Sequence, residues 1–78
     1  PEESARQRES LLRGLAMLER LDPRKRIAFV LRCVEGLSLD EIGAIVGAKA
    51  PAVGQRVKHA QRELAAMIER DSKRERKS

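Results

Sequence analysis

The sequence predicts an all-α fold: one four-helix domain whose C-terminal half is a helix-turn-helix with a long recognition helix. Apolar residues recur at helical spacing in four segments, and helix start and stop signals separate those segments. The 78 residues suffice for one small domain. A chain of this size buries only about 60% of its unfolded surface, so it can hold a fold but can hardly enclose a deep active-site cavity.

The first two helices meet at an Asp-Pro pair. The first is predicted from Ser4 or Ala5 to Arg20, and Asp22 and Pro23 then supply an N-cap and a first helical residue for the second. The second helix is predicted to end at about residue 35, because the following Gly36 suits a left-handed C-terminal cap. Leu11, Leu15 and Leu18 share one face of the first helix, and the predicted inward residues of the second helix are Ile27, Val30, Leu31 and Val34.

The third helix has the clearest boundaries. Ser38 and Glu41 form a Ser-x-x-Glu capping box, which predicts a short helix over residues 39–46 that Gly47 ends. Its predicted inward residues are Leu39, Ile42, Ile45 and Val46.

The fourth helix is predicted from Pro51 to Arg70, after a turn over residues 47–50. At about 100° per residue, its apolar positions form one buried stripe. These positions are Val53, Val57, Ala60, Leu64, Met67 and Ile68, and the opposite face collects Gln55, Lys58, His59, Arg62 and Ala66. Residues 1–70 are therefore assigned to the folded domain, and residues 71–78, which include no apolar position, to a basic disordered tail.

Charge and composition narrow the function. The formal net charge is +5, and residues 49–78 hold nine basic and four acidic side chains, so the excess lies in the last helix and tail. One Phe without Tyr or Trp leaves almost no platform for unstacked bases, which argues against a single-strand reader. One Cys and one His provide no zinc site, and no enzyme or cofactor is predicted. No apolar run approaches a membrane span, and a cytoplasmic protein without a membrane partner is expected.

The turn and the basic outer face together predict a helix-turn-helix that binds duplex DNA. The third helix would cross the DNA backbone, while the fourth enters the major groove with long side chains that reach recessed base edges. A plain helical bundle with a charged outer face is the competing interpretation.

Residues 21–32 (LDPRKRIAFVLR) and 34–43 (VEGLSLDEIG) resemble region four of bacterial RNA polymerase sigma factors. The extracytoplasmic-function group carries a similar pattern, L-P-x-x-x-R-x-x-F-x-L-R followed by E-G-x-S-x-x-E-I-A. LuxR-type regulators share part of it, but there the Pro-to-Gly spacing is usually one residue shorter than the thirteen from Pro23 to Gly36.

The resemblance implies recognition of the upstream (minus-thirty-five) promoter element as duplex DNA, docking on the flap of the polymerase β subunit, and possible masking by an anti-sigma factor. The resemblance implies DNA contacts by Ser38, Lys49, Gly54, Gln55, Arg56, Lys58 and His59. Arg62, on the outer face of the fourth helix, is added to these predicted DNA-binding residues.

The chain departs from the family at the entry to the fourth helix. The common Gly-Thr-Val-Lys/Arg reads Pro51-Ala52-Val53-Gly54 here, which removes a hydroxyl and a cationic side chain from the groove. Two alternatives therefore stay open: a sigma-like decoy that binds an anti-sigma factor or the polymerase flap without reading DNA, and, less favoured, a LuxR-type regulator domain.

Overall fold

The computed structural model describes the backbone of residues 2–77 and the side chains of residues 3–73. It contains α1 (Glu2–Glu19), α2 (Pro23–Phe29), which continues as a π-helical turn (Val30–Val34), α3 (Leu39–Val46) and α4 (Ala50–Lys77). Residues 2–77 include no strand, and the predicted all-α, four-helix fold is confirmed.

The α1–α2 junction follows the predicted capping chemistry. The backbone N–H of Arg24 donates to Asp22 Oδ2 at 3.1 Å, and Pro23 occupies the first helical position. The end of the second helix differs from the prediction. Its last turn is π-helical, with the N–H of Glu35 donating to the Val30 carbonyl at 3.0 Å, and Gly36 then adopts a left-handed φ of 75°.

The capping box at the start of α3 is confirmed in both directions. The N–H of Glu41 donates to Ser38 Oγ at 3.1 Å, and the N–H of Ser38 donates to Glu41 Oε1 at 3.0 Å. Gly47 ends the helix with a φ of 73°, as predicted. Both its N–H and that of Ala48 donate to the Gly43 carbonyl, at 2.8 and 3.0 Å, which fixes the turn between α3 and α4.

Two apolar clusters hold the helices together. The first packs α2, α3 and α4 around the fully buried Ile42 and Val53, with Ala28 and Val57 beside them. The second joins α1 and α2 to the middle of α4 through buried Leu21, Ala60 and Met67, flanked by partly buried Met17, Leu18, Phe29 and Leu64. Burial of one Ile or Val side chain contributes about 1.5–3 kcal/mol, so the first cluster firmly seats α4 against α3.

Several residues predicted to face inward are exposed. Ile68 on α4 and Val34 at the end of the π-helical turn expose 55% and 66% of their surfaces. Helical spacing shows that these residues share an apolar face with the core, but the neighbouring helices cover only part of that face. Ile27 and Ile45 were also predicted to face inward and are exposed, and the shared apolar face of α1 exposes Leu11 and Leu15 as well. Ala28, which sequence reasoning did not single out, is almost completely buried because a small side chain lets α2 approach α4.

Helix α4 starts at Ala50 and continues to Lys77, past the predicted end at Arg70. The assignment of residues 71–78 to a disordered tail is thus corrected for the backbone up to residue 77, while Ser78 lies outside the described residues. Lys, Arg and Glu are good helix formers, and propagation adds one hydrogen bond per residue. Lys73 Nζ also lies 3.7 Å from Glu69 Oε1, one turn earlier. The domain boundary at residue 70 stays a prediction.

Candidate nucleic-acid interface

One face of α4 presents polar side chains to solvent. Gln55, Lys58, His59 and Arg62 are all exposed. Within the side chains that the structure describes, none of the four makes a hydrogen bond or ion pair. At about 100° per residue they fall within an arc of about 100°, opposite the stripe that contains Val53 and Ala60. The structure therefore brings four of the eight predicted residues together on one free face.

Two further predicted residues lie at the starts of α4 and α3. Lys49 is exposed and immediately precedes α4, where its carbonyl accepts a hydrogen bond from the N–H of Val53 at 3.1 Å. Ser38 is exposed at the start of α3, and its hydroxyl oxygen accepts from the N–H of Glu41. Ser38 is thus part of the capping box of α3 and also one of the predicted phosphate contacts.

Arg56 lies away from this free face and is half-buried. With Arg24 it lines a cleft of about 470 Å³ whose other walls are Ile27, Val46 and Gly47. The cleft lies between the first turn of α2, the end of α3 and α4. The tertiary fold thus places Arg24 near Arg56, which lies 32 positions later in the chain.

Gly54 faces α3 rather than open solvent. A Cβ at this position would lie 3.4 Å from Leu39 Cδ1, an ordinary packing distance. The glycine is thus packed against the helix that supports α4, and the structure does not group it with the free face.

A long-range ion pair beside the free face was not predicted from the sequence. Lys25 Nζ lies 2.7 Å from Glu63 Oε2 and links the first turn of α2 to the middle of α4. The partners are 38 residues apart in sequence. No local pattern signals such a pair.

An apolar groove occupies another side of the domain. It measures about 460 Å³ and is lined by α1, the second helix and α4. Leu64 and Ile68 lie on the side of α4 opposite Gln55 by helical geometry. The groove walls include four exposed apolar residues: Leu11, Leu15, Val34 and Ile68. A contiguous exposed apolar surface of this kind is typical of a protein-binding site.

The pKa of one carboxyl group is lowered. The backbone N–H of Ser38, followed by its hydroxyl, stabilises the charged form of Glu41 and holds the pKa of that carboxyl below its ordinary value of 4.5.

In the described part of the chain, no group of three His, Cys, Asp or Glu side chains is arranged to hold a metal ion. Over the same residues, no helix has both the length and the apolar character needed to cross a membrane.

Comparison with known proteins supports the helix-turn-helix interpretation. No curated protein gives a significant match to the chain. Residues 11–64, more than half of the chain, match the family described as Sigma-70, region 4. This family comprises non-catalytic DNA-binding domains of sigma factors, through which those factors interact with promoter DNA and with RNA polymerase. Because this match covers more than half of the chain, the chain belongs to the sigma-70 region 4 family.

Proposed function

We propose that this chain is region four of an extracytoplasmic-function sigma factor and reads the upstream (minus-thirty-five) promoter element in the cytoplasm. It has no enzymatic activity of its own in this proposal. The observation that carries it is the free polar face of α4, which α3 holds in place through Ile42 and Val53. A rigid helix with exposed donors and acceptors fits the major groove of duplex DNA.

The DNA contact proposed for each residue follows from the chemistry of its side chain. Gln55 suits the bidentate edge of adenine, and Lys58 suits the acceptors of guanine. His59, one turn after Gln55, also faces the base edges. Lys49 and Arg62 would neutralise phosphates on either side of the groove, and Ser38 is proposed to contact another. Arg56 is proposed to bind phosphate through its cleft, and Gly54 to let the backbone approach the DNA.

The decisive experiment is selection of duplexes from a randomised library, followed by affinity measurements at increasing salt. We expect a short asymmetric motif to be recovered. For Gln55→Ala, a loss of about 1–3 kcal/mol confined mainly to one base pair is expected, as one bidentate contact would give. An equal loss on every sequence would contradict the role of Gln55 in base recognition.

A charge-matched pair of variants tests the phosphate contact. Arg62→Ala should weaken binding to all duplexes and lower the slope of log K against log salt by about 0.9. Arg8→Ala, which removes an exposed charge from the N-terminal half of α1, changes the net charge equally. It should leave the slope unchanged. Equal slopes for the two variants would show that general charge, rather than a contact by Arg62, attracts the DNA.

We further propose that the apolar groove docks on the flap of the polymerase β subunit, and that an anti-sigma factor would compete for it. Leu15 supports this proposal because its side chain lines the groove yet is 48% exposed. Leu15→Glu should therefore abolish flap binding with little loss of stability, as measured by pull-down with the flap and by thermal melting. Flap binding without any sequence-selective DNA binding would instead favour the sigma-like decoy.

A further inference from the structure

Lys25 and Glu63 form an ion pair at the edge of the free face of α4. The Lys25 Nζ to Glu63 Oε2 distance is 2.7 Å, and the side chains are 31% and 44% exposed. Both groups are therefore accessible to solvent and ions, while the pair itself directs the carboxylate towards α2.

The position of Glu63 gives this pair a role beyond packing. Glu63 is the only acidic residue between Lys49 and Ile68, the stretch that contains all the proposed base-reading side chains. It follows Arg62 directly and lies one helical turn after His59, at a side-chain spacing of about 5–6 Å. Charges interact over about 10 Å at ordinary salt, so an unpaired carboxylate here would repel the phosphates that approach α4.

We propose that Lys25 is a positioning residue for DNA binding: it neutralises Glu63 and turns that carboxylate towards α2, out of the path of the DNA backbone. The inference rests on the proposed function, because it concerns the same DNA-binding face. Lys25 itself does not contact DNA in this proposal. Its effect on affinity is exerted entirely through the charge of Glu63.

The test compares the wild-type chain with Lys25→Gln, Glu63→Gln and the double variant. A short labelled duplex of mixed sequence serves as the probe, since the expected effect is electrostatic, and affinity is measured between about 50 and 200 mM salt. Lys25→Gln leaves a bare carboxylate and should weaken binding on the order of fivefold at the low-salt end. Glu63→Gln should tighten binding, and the double variant should bind as Glu63→Gln does, because Lys25 has no effect on affinity once the Glu63 charge is removed.

Conservative substitution provides a matched control. Lys25→Arg keeps the positive charge and should bind as the wild type does. Thermal melting of each variant separates binding from folding, because a duplex affinity that rises in Glu63→Gln cannot result from loss of a stabilising ion pair.

Three results would overturn the inference, each in a different way. Weaker binding by Glu63→Gln would mean that the pair only holds α2 and α4 together. A double variant that binds clearly more weakly than Glu63→Gln would mean that Lys25 attracts the DNA independently of Glu63. If the wild-type chain binds no duplex, the proposed function fails and the inference fails with it, whereas the first two results leave the proposed function intact.

Discussion

Gly43→Ala tests whether the turn between α3 and α4 is as tight as the structure indicates. A Cβ on Gly43 would overlap the carbonyl oxygen of Ala48, and it would also lie 3.5 Å from the Ala48 carbonyl carbon and 3.8 Å from the Ala50 nitrogen. All three are backbone atoms, which cannot rotate away as the end of a flexible side chain can. The added methyl group must therefore displace the start of α4 or the end of α3.

The magnitude follows from two opposing terms. Overpacking a tight site typically costs about 1–3 kcal/mol, while replacement of a helical Gly by Ala gains roughly 0.5–1 kcal/mol. Two hydrogen bonds to the Gly43 carbonyl, from Gly47 and Ala48, resist displacement of the turn. We therefore expect a net loss of about 1–2 kcal/mol, and each kcal/mol lowers the melting temperature of a domain this small by about 4–8 °C.

The assay is thermal melting monitored by circular dichroism, with Gly14→Ala as the matched control. Gly14 lies in the exposed part of α1, and a Cβ there would meet no atom within 4 Å. The same chemical change should therefore raise the melting temperature at Gly14 and lower it at Gly43. A rise at both positions would refute the reasoning, because it would show that the turn opens freely to admit the methyl group.

Three further predictions concern the caps and the recognition helix. Glu41→Gln should melt at a lower temperature than the wild type above the ordinary pKa of 4.5, and this difference should disappear as the pH falls through the lower folded-state pKa, because protonation removes the charge that the cap stabilises. A difference in melting temperature that does not depend on pH would contradict this explanation. Ser38→Asp preserves the capping acceptor but places a negative charge where a phosphate donor is proposed, so melting should be nearly unchanged while duplex affinity falls; retained affinity would remove Ser38 from the interface. Gly54→Ala should gain roughly 0.5–1 kcal/mol of stability because its methyl group meets only Leu39 Cδ1 at 3.4 Å; loss of DNA affinity in the stabilised variant would support a close approach of DNA at Gly54, and unchanged affinity would exclude it.

Local signals were read correctly from the sequence because their partners are close along the chain. The capping box spans Ser38 to Glu41, and both of its hydrogen bonds are present. Gly36 and Gly47 both adopt the left-handed conformation expected after a helix. The π-helical turn at residues 30–34 was not predicted, since it adds one residue to a hydrogen-bonded turn without any distinctive residue type.

The candidate interface was only partly predictable for the same reason. Helical geometry alone places Gln55, Lys58, His59 and Arg62 on one face of α4, because the angle between residues of one helix depends only on their spacing. The cleft that joins Arg24 to Arg56 depends on how two helices cross, and the sequence contains no comparable rule for that.

The amino-acid sequence by itself determined the four helices, the ends of α3, the basic character of α4 and the family to which the chain belongs. All of these depend on residues within a few positions of each other or on a matched linear pattern. Only the tertiary structure decided that Ile68 and Val34 border an open groove, that Gly54 packs against Leu39, and that Lys25 pairs with Glu63. These features arise where separate helices meet, and the packing of whole helices determines which side chains come into contact.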